Sequence, residues 1–577
     1  MSRALQSGLL AALVGLQAGL SVHAMRGHSA TFDEGAHLPA GYTHLALGDH
    51  RLNPEQPPLV KLLAAAPLLA VGPEMRATDV SWTRARQWEF GRRFLYRWND
   101  ADRLLLLGRL PVVALASCLV IAVFFAARER FGLLAGASAA FLTALSPDVL
   151  AHGALVTTDL GFALFFLLAV IAFERLLARA TAGRLLAAGL LTGAAFAAKF
   201  SAPILIAVFV LLGLRWTLAE APVLERRARL GRLALQLGAV AAIALAVVWA
   251  AYGFRAALSS DPALRAELAG SLAASHSGAL ERAVAFAGRT GIVPEDYARG
   301  MLFVAEHSAA RPTFLMGELS DHGFPHYFAV SFLLKTPVPL LLLTAVALVR
   351  APRLRRRDAA LVFIPVAVYL TATATRGLQI GHRHLLPIYP FLFLAAGEAA
   401  AALRSWRAPR GARLAAALAL WYAGGTLLQH PHHLAYFNEI AGGPRNGWRL
   451  LVDSNLDWGQ DLKRLAEWMR AHGVPRLKLS YFGSADPSYY GIEHEALPGY
   501  TAPHAARITR EILPGDVVAV SATNLQGVYL ESPQDRALMA RLRALEPIGR
   551  AGWSIRIYRA DFVWPEAASD ARAAVVP

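Results

Sequence analysis

The sequence is poor in cysteine and in charge. Cys118 is the only cysteine among the 577 residues, so no disulfide can form within the chain. A domain in an oxidising compartment therefore has to be held together by packing. Charged residues make up only 17% of the sequence, which is low for a soluble protein. Neither an internal repeat nor a low-complexity tract is present, apart from apolar segments rich in alanine and leucine.

Apolar residues are abundant instead. They account for 55% of the sequence, and the mean hydropathy is +0.40, which favours a polytopic membrane protein. The net charge of +16 is then expected in cytoplasmic loops rather than at a nucleic-acid site. The first segment, up to Ala24, has two interpretations, a cleaved signal peptide or an uncleaved first helix. Both place the chain after Ala24 outside the cytoplasm.

About eleven apolar segments are predicted to cross the membrane as α-helices. They are residues 6–23, 103–127, 131–147, 154–176, 184–199, 201–214, 232–253, 327–349, 358–375, 384–403 and 411–428. The fifth and sixth of these are short for a span and are expected to be tilted or to extend further.

Basic residues assign the sides of the membrane independently of hydropathy. If the N-terminus is cytoplasmic, every strongly basic short connection falls on the cytoplasmic side. These connections are residues 128–130, 175–184, 215–232, 350–357 and 404–413. The sequence therefore predicts a multi-pass protein of the plasma (inner) membrane, with a cytoplasmic N-terminus and an extracytoplasmic C-terminus.

Three long segments are predicted to face outward, at residues 24–102, 254–326 and 430–577. The first contains the apolar stretch Pro57–Gly72, which is too short to span comfortably and indicates an interfacial or re-entrant helix. In the last, the residue pattern predicts an amphipathic helix and three strands, at residues 461–473, 476–482, 516–521 and 554–559. The predicted fold is an α-helical polytopic membrane domain, residues 1–429, followed by a small extracytoplasmic α/β domain, residues 430–577.

Two adjacent acids, Asp33 and Glu34, follow the first apolar segment in the stretch TFDEGAHLPAGY. Thr31 and Glu34 have the spacing of a capping box, in which the glutamate side chain accepts a hydrogen bond from the threonine amide. This structural role is the alternative to a catalytic role for Glu34. Asp33 has no such explanation, and we interpret it as functional. On a helix, Asp33 and His37 would share one face.

Further acids and cations fall on the same side of the membrane. The stretch RLNPEQPPLVK places Glu55 and Lys61 where the chain meets the interface, and Lys61 either reaches lipid headgroups or binds a phosphate. Asp159 lies at the membrane boundary, where an acid normally lines a cavity. Asp148, after a Ser-Pro pair, can be explained as a helix N-cap. Lys199 is a lone cation between two short spans.

The turn GHRHLLPIYPF supplies His382, Arg383 and His384. Together with Glu55, these histidines have the chemistry of a zinc or manganese site, and ordinary hydrogen-bonded histidines are the alternative. All of these residues lie at the outer surface in the predicted topology. Acids and cations beside a lipid interface suit an amphipathic substrate whose phosphate lies among the cations, with an acid next to the bond that breaks.

These stretches, taken in order, resemble the GT-C class of integral-membrane glycosyltransferases. The similarity is greatest to the protein O-mannosyltransferase family (glycosyltransferase family 39) and its bacterial relatives, which include the aminoarabinose transferase that acts on lipid A. The resemblance is carried by TFDEGAHLPAGYTHLALGD, LNPEQPPLVKLLAAAPLL, HGALVTTD, AAKFSA and GHRHLLPIYPF. The later stretch Tyr436–Leu462 is similar to one found in uncharacterised bacterial members.

The resemblance implies a polyprenyl-phosphate sugar donor and transfer of the sugar on the extracytoplasmic side. By position, Asp33 matches the catalytic aspartate of the first loop, Glu34 its neighbour, and Asp159 the aspartate of the second turn. In some relatives the residue that matches Glu55 helps to bind a divalent metal. Lys199 matches a lysine that binds the donor phosphate.

One difference from the lipid A type bears on the acceptor. These relatives carry lysine directly after the matching glutamate, whereas this chain has Gln56, so Lys61, with Lys199 and Arg383, is expected to neutralise the phosphate instead. The acceptor hydroxyl is expected on a protein, a lipid or a glycan.

The residues by themselves also permit other functions. A transporter or lipid flippase is the main alternative, although transporters usually place ionisable residues near the bilayer midplane and have repeated halves. A non-catalytic receptor or assembly scaffold would leave Asp33, Asp159 and Lys199 without an explanation.

Overall fold

The structure is a computed structural model that describes residues 3–220, 225–255, 278–307, 311–374, 378–406, 409–500 and 508–565, together with positions 262, 266 and 270. Parts of the predicted outer segment 254–326 and the end of the predicted C-terminal domain lie outside the described residues.

Apolar helices dominate the described part of the chain. Six of its helices are long and apolar enough to cross a membrane. They are Ala4–Arg26, Ala101–Phe131, Thr158–Ala178, Arg226–Ala251, Arg356–Ala374 and His382–Ser405. Four shorter apolar helices accompany them, at Leu59–Ala70, Leu133–Ala144, Ala182–Ala198 and Ile204–Leu218. The chain is therefore a multi-pass membrane protein, whereas the number eleven and the sides of the termini stay predictions.

The α-helices are numbered here in chain order. They are α1 (Arg3–Arg26), α2 (Glu34–Leu47), α3 (Leu59–Ala65), α4 (Val80–Thr83), α5 (Gln87–Tyr96), α6 (Ala101–Phe131), α7 (Leu133–Ala144), α8 (Pro147–His152), α9 (Thr158–Ala178), α10 (Ala182–Ala198), α11 (Ile204–Glu220), α12 (Arg226–Ala251), α13 (Ala279–Arg289), α14 (Glu295–His307), α15 (Tyr327–Lys335), α16 (Val338–Arg350), α17 (Arg356–Ala374), α18 (Tyr389–Ser405), α19 (Arg410–Leu428), α20 (Pro444–Leu450), α21 (Leu462–Ala471), α22 (Ala522–Leu525) and α23 (Pro533–Arg543). Short 3₁₀ helices occur at Ala66–Ala70, Ala351–Arg353, His382–Ile388, His433–Ala435, Glu439–Ala441, Asp453–Asn455 and Pro487–Tyr490.

The predicted span 327–349 is not one straight helix. It consists of α15 and α16, which meet at an angle of 115°. The break is at Thr336, which has extended backbone (ψ 130°) and precedes Pro337; a residue before proline is pushed out of the helical region by steric clash. At this break Lys335 donates hydrogen bonds to the carbonyl oxygens of Leu434 and Asn455, at 2.8 and 2.5 Å. The bend therefore ties the membrane part to the C-terminal segment.

The C-terminal segment contains a five-stranded sheet. Its strands are β3 (Leu477–Ser480), β4 (His494–Ala496), β5 (Val517–Ser521), β6 (Gly549–Ala551) and β7 (Ile555–Arg559), in the spatial order β4-β3-β5-β7-β6. β3 is parallel to both of its neighbours, whereas the β5–β7 and β6–β7 pairs are antiparallel. A separate hairpin pairs β1 (Thr313–Leu315) with β2 (Glu318–Ser320).

The three predicted strands of this segment are confirmed as β3, β5 and β7, and the predicted amphipathic helix is α21. The short edge strands β4 and β6 were not predicted, because three residues are too few to show an alternating pattern. The division of the chain into two domains at residue 429 stays a prediction.

The C-terminal sheet packs directly on the first outer segment. Phe90 and Phe94 of α5 belong to the same buried apolar cluster as Tyr481 and Ile557. Backbone hydrogen bonds join the same two regions, since the amide of Phe32 donates to the carbonyl oxygen of Trp458 at 2.8 Å. The residues that flank Asp33 are thereby held against the C-terminal domain.

Close backbone contact fixes the helix that follows Asp33. A Cβ atom added to Gly91 in α5 would lie 1.8 Å from the carbonyl oxygen of Gly35 in α2. Only glycine permits this approach of the two helices. The position of α2, and of the acid at its N-terminus, is set by this contact.

Candidate active site

A cavity of about 350 Å³ lies where the first outer segment, the end of α10 and the turn around residue 383 meet the C-terminal domain. Its lining mixes charged, polar and aromatic side chains. The lining residues are Phe32, Asp33, His37, Glu55, Gln56, Gln87, Trp88, Lys199, Phe303, Val304, His307, Arg311, Leu378, Ile380, Arg383, His384, Asp453, Trp458, Phe482 and Tyr500. Most of the residues predicted from sequence are therefore brought together in one place.

Asp33 lies at the N-terminus of α2 and presents its carboxylate to the cavity. Its side chain is 21% exposed, and Oδ2 accepts a hydrogen bond from Nη1 of Arg383 at 2.8 Å. The amide of His37 donates to the carbonyl oxygen of Asp33 at 2.9 Å, and His37 also lines the cavity. The prediction that both residues share one helix face is confirmed.

Asp159 lies behind the cavity lining and joins two of its cations. It is in the first turn of α9 and is fully buried. Lys199 forms a buried ion pair with its Oδ1 atom, and Nη1 of Arg383 lies 3.3 Å from its Oδ2 atom. One guanidinium nitrogen therefore connects Asp33 and Asp159, while Nε of Arg383 is buried without a hydrogen-bond partner.

Glu34 points away from the cavity. Its carboxylate accepts hydrogen bonds from Arg109, at 2.7 and 2.8 Å, and from the Thr31 and Val156 amides, both at 2.9 Å. The predicted bond from the Thr31 amide is thus present. Burial raises the pKa of Glu34, but the Arg109 guanidinium and the amide hydrogen bonds outweigh it and hold the pKa below the ordinary value.

Lys61 is also separate from the cavity lining. It is buried, and its ammonium group donates to the carbonyl oxygens of Asn53 and Gln56, both at 2.8 Å, and to Oδ1 of Asn53 at 3.1 Å. These three bonds use all three donors of the ammonium group. The structure therefore places the Lys61 ammonium group against the loop that carries Glu55, outside the lining of the cavity.

Glu55 faces the cavity but does not meet His382. Its carboxylate accepts hydrogen bonds from Asn53 and Gln87, both at 2.7 Å, and burial is the main reason that its pKa lies above the ordinary value. His382 is buried elsewhere, with Nε2 2.6 Å from the Tyr389 hydroxyl. The expected grouping of Glu55 and His382 at one metal site is therefore wrong.

Two further residues singled out in the sequence, His384 of the turn and Asp148 at the start of α8, have different surroundings. His384 lines the cavity, and its Nε2 atom is buried without a hydrogen-bond partner. Asp148 is not the cap of α8, since the hydroxyl of Ser146 caps that helix. Asp148 instead lies in the first turn, with Oδ2 3.6 Å from Nε2 of His382.

Several cavity residues were missed by sequence reasoning. Gln87, Trp88, Arg311, Phe482 and Tyr500 come from segments whose local pattern carries no functional signal. Two further residues, Asp453 and Trp458, lie within the stretch Tyr436–Leu462, which carried part of the resemblance. That stretch was the one available signal, because its acids and aromatics do not fit the periodicity of a helix or strand.

A second, more apolar cavity of about 460 Å³ lies beside the first. It shares Val304, Leu378 and His384 with the first cavity. Its lining also includes Phe200, Ile204, Met301, Leu302, Phe328 and Tyr369. A polar cavity and an apolar one thus adjoin each other at the end of the membrane helices.

Residues 106–252, from α6 to the end of α12, match the family model described as dolichyl-phosphate-mannose-protein mannosyltransferase. The predicted resemblance to the GT-C membrane glycosyltransferases is confirmed. The matched segment contains Asp159 and Lys199, whereas Asp33 and Arg383 lie outside it. No curated protein sequence matches the chain significantly.

Two solved structures are among those to which the chain is similar at low identity. ArnT from Cupriavidus metallidurans bound to undecaprenyl phosphate is 13% identical, with a TM-score of 0.48, over 96% of this chain and 98% of that chain. The oligosaccharyltransferase of Archaeoglobus fulgidus in the apo form is 14% identical, with a TM-score of 0.46, over 81% of this chain and 58% of that chain. The latter protein has also been solved in complex with Zn and sulfate, with a TM-score of 0.42 to this chain.

Proposed function

We propose that the protein transfers a glycosyl group from a polyprenyl-phosphate-linked sugar to an acceptor hydroxyl on the extracytoplasmic side of the membrane. The observation that carries the proposal is the position of the Asp33 carboxylate among cavity cations, next to an apolar cavity. The membrane domain, residues 1–429, would hold the catalytic cavity, and residues 430–577 would form the extracytoplasmic domain.

The two adjoining cavities fit the two chemical parts of such a donor. The apolar cavity suits the isoprenoid chain where it leaves the bilayer, since most of its lining is hydrocarbon. The polar cavity offers Lys199 and the free Nε–H of Arg383 to the phosphate. Charge-assisted hydrogen bonds from such groups are about twice as strong as neutral ones.

The reaction would be a single displacement at the anomeric carbon of the sugar. The bond from this carbon to the phosphate oxygen breaks, and the polyprenyl phosphate leaves with the electron pair. A bond forms from the same carbon to the acceptor oxygen, and Asp33 takes the hydroxyl proton. The cations stabilise the charge that develops on the departing phosphate. Attack on the face opposite to the leaving group inverts the anomeric configuration.

The remaining predicted residues would hold this arrangement in place. Asp159 fixes the orientation of Lys199 and Arg383, because both cations pair with its carboxylate. Glu34 and Lys61 fix two parts of the first outer segment through their hydrogen bonds, and His382 supports the turn that carries Arg383. In this proposal His37 and His384 line the substrate cavity, and the catalytic role expected of Glu34 is replaced by a structural one.

The described residues do not by themselves provide a complete set of ligands for a divalent metal. They contain no group of three or more histidine, cysteine, aspartate or glutamate side chains that can hold a metal ion. Both carboxylate oxygens of Glu55 already accept hydrogen bonds from amide groups. No step is therefore assigned to a metal, and sensitivity to a chelator remains a measurement to make.

Donor consumption by the purified protein tests the proposal. The protein in lipid nanodiscs is supplied with undecaprenyl-phosphate derivatives of mannose, glucose, arabinose and aminoarabinose, with and without chelator. We expect the wild type to consume one donor, and Asp33→Asn to lower the rate by about 10²–10⁴-fold, the usual contribution of a general base.

The matched control is Glu74→Gln, which changes a half-exposed carboxylate paired with Arg76 and should leave the rate unchanged. Full activity of Asp33→Asn would overturn the assignment. A wild type that consumes no donor but moves a labelled lipid across vesicles would support the flippase alternative instead.

A further inference from the structure

The C-terminal domain contributes one wall of the polar cavity. This wall consists of Asp453, Trp458, Phe482 and Tyr500. Among the described residues, none of those that line the neighbouring apolar cavity comes from the C-terminal domain. The side of the polar cavity that the C-terminal domain forms is therefore distinct from the side that opens to the apolar cavity.

Aromatic rings form a continuous surface on this side. The ring of Phe32 lies 4.7 Å from that of Trp88, 5.5 Å from that of Phe482 and 5.7 Å from that of Tyr500, measured between centroids. The ring of Tyr500 also lies 4.8 Å from that of Tyr529. Three of these rings come from the C-terminal domain and two from the first outer segment, so the surface exists only when the two regions are docked.

A carboxylate is fixed at the edge of the aromatic surface. Asp453 adopts a left-handed backbone conformation with φ +55°, which costs energy for a residue other than glycine. The Tyr529 hydroxyl donates to Oδ2 at 2.5 Å, and the Ser454 amide donates to Oδ1 at 2.6 Å. Its own amide donates to the Thr523 hydroxyl at 3.0 Å. The strain and these bonds aim the carboxyl group into the cavity.

A cation completes the polar part of this side. Arg311 lines the cavity, and its guanidinium carbon lies 5.7 Å from the centre of the Tyr529 ring. Burial raises the pKa of Asp453, whereas the Arg311 guanidinium lowers it. A hydrogen-bond acceptor and a fork of donors thus flank the aromatic surface.

We propose that this side of the cavity is the acceptor subsite and that the acceptor is a carbohydrate. A sugar ring has one face of C–H groups, which packs on aromatic rings, and an edge of hydroxyl groups, which bond to a carboxyl and a guanidinium. A lipid acyl chain would offer no hydrogen-bonding group to the carboxyl and the guanidinium that line this side of the cavity. The proposal rests on the proposed function, because it names the hydroxyl that the transferred sugar joins.

Linkage analysis of the reaction product tests the class of acceptor. Membranes that contain the protein are incubated with the isotope-labelled donor that the purified enzyme consumes, and the labelled product is analysed by methylation and mass spectrometry. A bond from the labelled sugar to another sugar supports the proposal. A bond to serine or threonine, or to a lipid headgroup, overturns it and leaves the glycosyltransferase function intact.

Substitutions in this wall test whether it binds the acceptor. Tyr500→Ala removes a ring that is 40% exposed, so the fold should tolerate it, and Asp453→Asn keeps a residue type that accepts positive φ. We expect the KM for the identified acceptor to rise about tenfold or more in each variant. Binding of the donor and its slow hydrolysis by water should stay within about twofold of wild type.

The matched control is Tyr489→Ala, which removes a ring of similar exposure, 36%, in the same domain but outside the cavity lining. It should change neither constant. Unchanged acceptor KM in both wall variants would overturn the proposal. If the wild type consumes no donor, the proposed function fails, and the acceptor subsite fails with it.

Discussion

The adjacent acids Asp33 and Glu34 belong to two different groups of ion pairs, and the surroundings of the two groups differ. Glu34 pairs with Arg109, and every oxygen and nitrogen named in that pair is used within the fold. Asp33 belongs to the group formed with Arg383, Asp159 and Lys199, in which three of the four side chains line a cavity. The first group is closed within the fold, and the second faces a cavity.

The difference shows that the type of residue does not determine its role here. Both groups consist of carboxylates and guanidinium or ammonium ions, and both are almost fully buried. A buried ion pair contributes little net stability unless all its groups are satisfied, and the Glu34 group meets that condition. The Asp33 group does not meet it, because Nε of Arg383 has no hydrogen-bond partner within the fold.

The largest effect is expected from a substitution that breaks the closed group. Glu34→Ala leaves the buried Arg109 guanidinium without its carboxylate, which typically costs about 3–5 kcal/mol. We expect a large loss of folded protein, measured by size-exclusion chromatography and thermal unfolding. Asp33→Asn is the paired control and should fold as the wild type does. A Glu34→Ala protein that folds normally but transfers no sugar would restore the catalytic role first predicted for Glu34.

A second comparison separates the two lysines that were both predicted to bind phosphate. Lys199→Met should raise the donor KM by about 10–100-fold, the value of a lost hydrogen bond to a charged group. Lys61→Met should lower stability by about 1–3 kcal/mol, because the Asn53 and Gln56 carbonyl groups lose their donor. Steady-state kinetics should show the rise in donor KM only in Lys199→Met, whereas thermal unfolding should show a loss of stability in both variants, because Lys199 is paired with the buried Asp159. The reverse pattern would place Lys61 at the phosphate.

A smaller effect is expected when the cation that joins the two acids is changed conservatively. Arg383→Lys keeps the charge but cannot hold Asp33 and Asp159 while stacking on Trp458, whose ring centre lies 4.3 Å from the guanidinium carbon. We expect kcat to fall by about tenfold with little change in thermal stability. Arg76→Lys, at an exposed pair with Glu74, is the control. Unchanged kcat for Arg383→Lys would show that charge alone is sufficient.

The smallest effect concerns a buried acid outside both groups. Burial raises the pKa of Asp457 in the C-terminal domain to about 8, against about 3.9 in the unfolded chain. The folded protein therefore binds this proton more tightly, and stability falls as the pH rises from about 4 through 8. We expect a lower thermal midpoint at pH 9 than at pH 6, and a smaller difference in Asp457→Asn. The exposed Asp561→Asn should keep the wild-type pH dependence, and a similar slope in all three proteins would contradict this account.

Much of the architecture could be predicted because it depends on local pattern. An apolar segment that is long enough, as a helix, to cross the bilayer forms a membrane helix wherever it lies in the chain. The strands Leu477–Ser480 and Val517–Ser521 were predicted from the alternation of apolar and polar residues. The bond between Glu34 and the Thr31 amide, and the shared face of Asp33 and His37, depend on spacings of three and four residues. Such short-range geometry is a property of the sequence itself.

The site could be predicted only in part, because its members come from distant segments. Lys61 and Lys199 are both lone lysines in apolar stretches of sequence. The neighbouring residues do not indicate that Lys61 donates to backbone carbonyl groups and that Lys199 pairs with Asp159. His382 and His384 are two residues apart, yet only His384 lines the cavity. Arg311 and Tyr500 carry no signal until the chain is folded.

The sequence by itself determined the class of protein, the membrane helices and the acids near their ends, since these depend on hydropathy and on spacings within one turn of helix. Tertiary structure alone decided that Glu34 is enclosed within the fold and that Asp33 faces a cavity. It also decided that Arg383 bridges Asp33 and Asp159, 126 positions apart in the chain, and that the C-terminal domain forms a wall of the cavity. The physical reason is that the desolvation and pairing of a charge depend on every segment that packs around it.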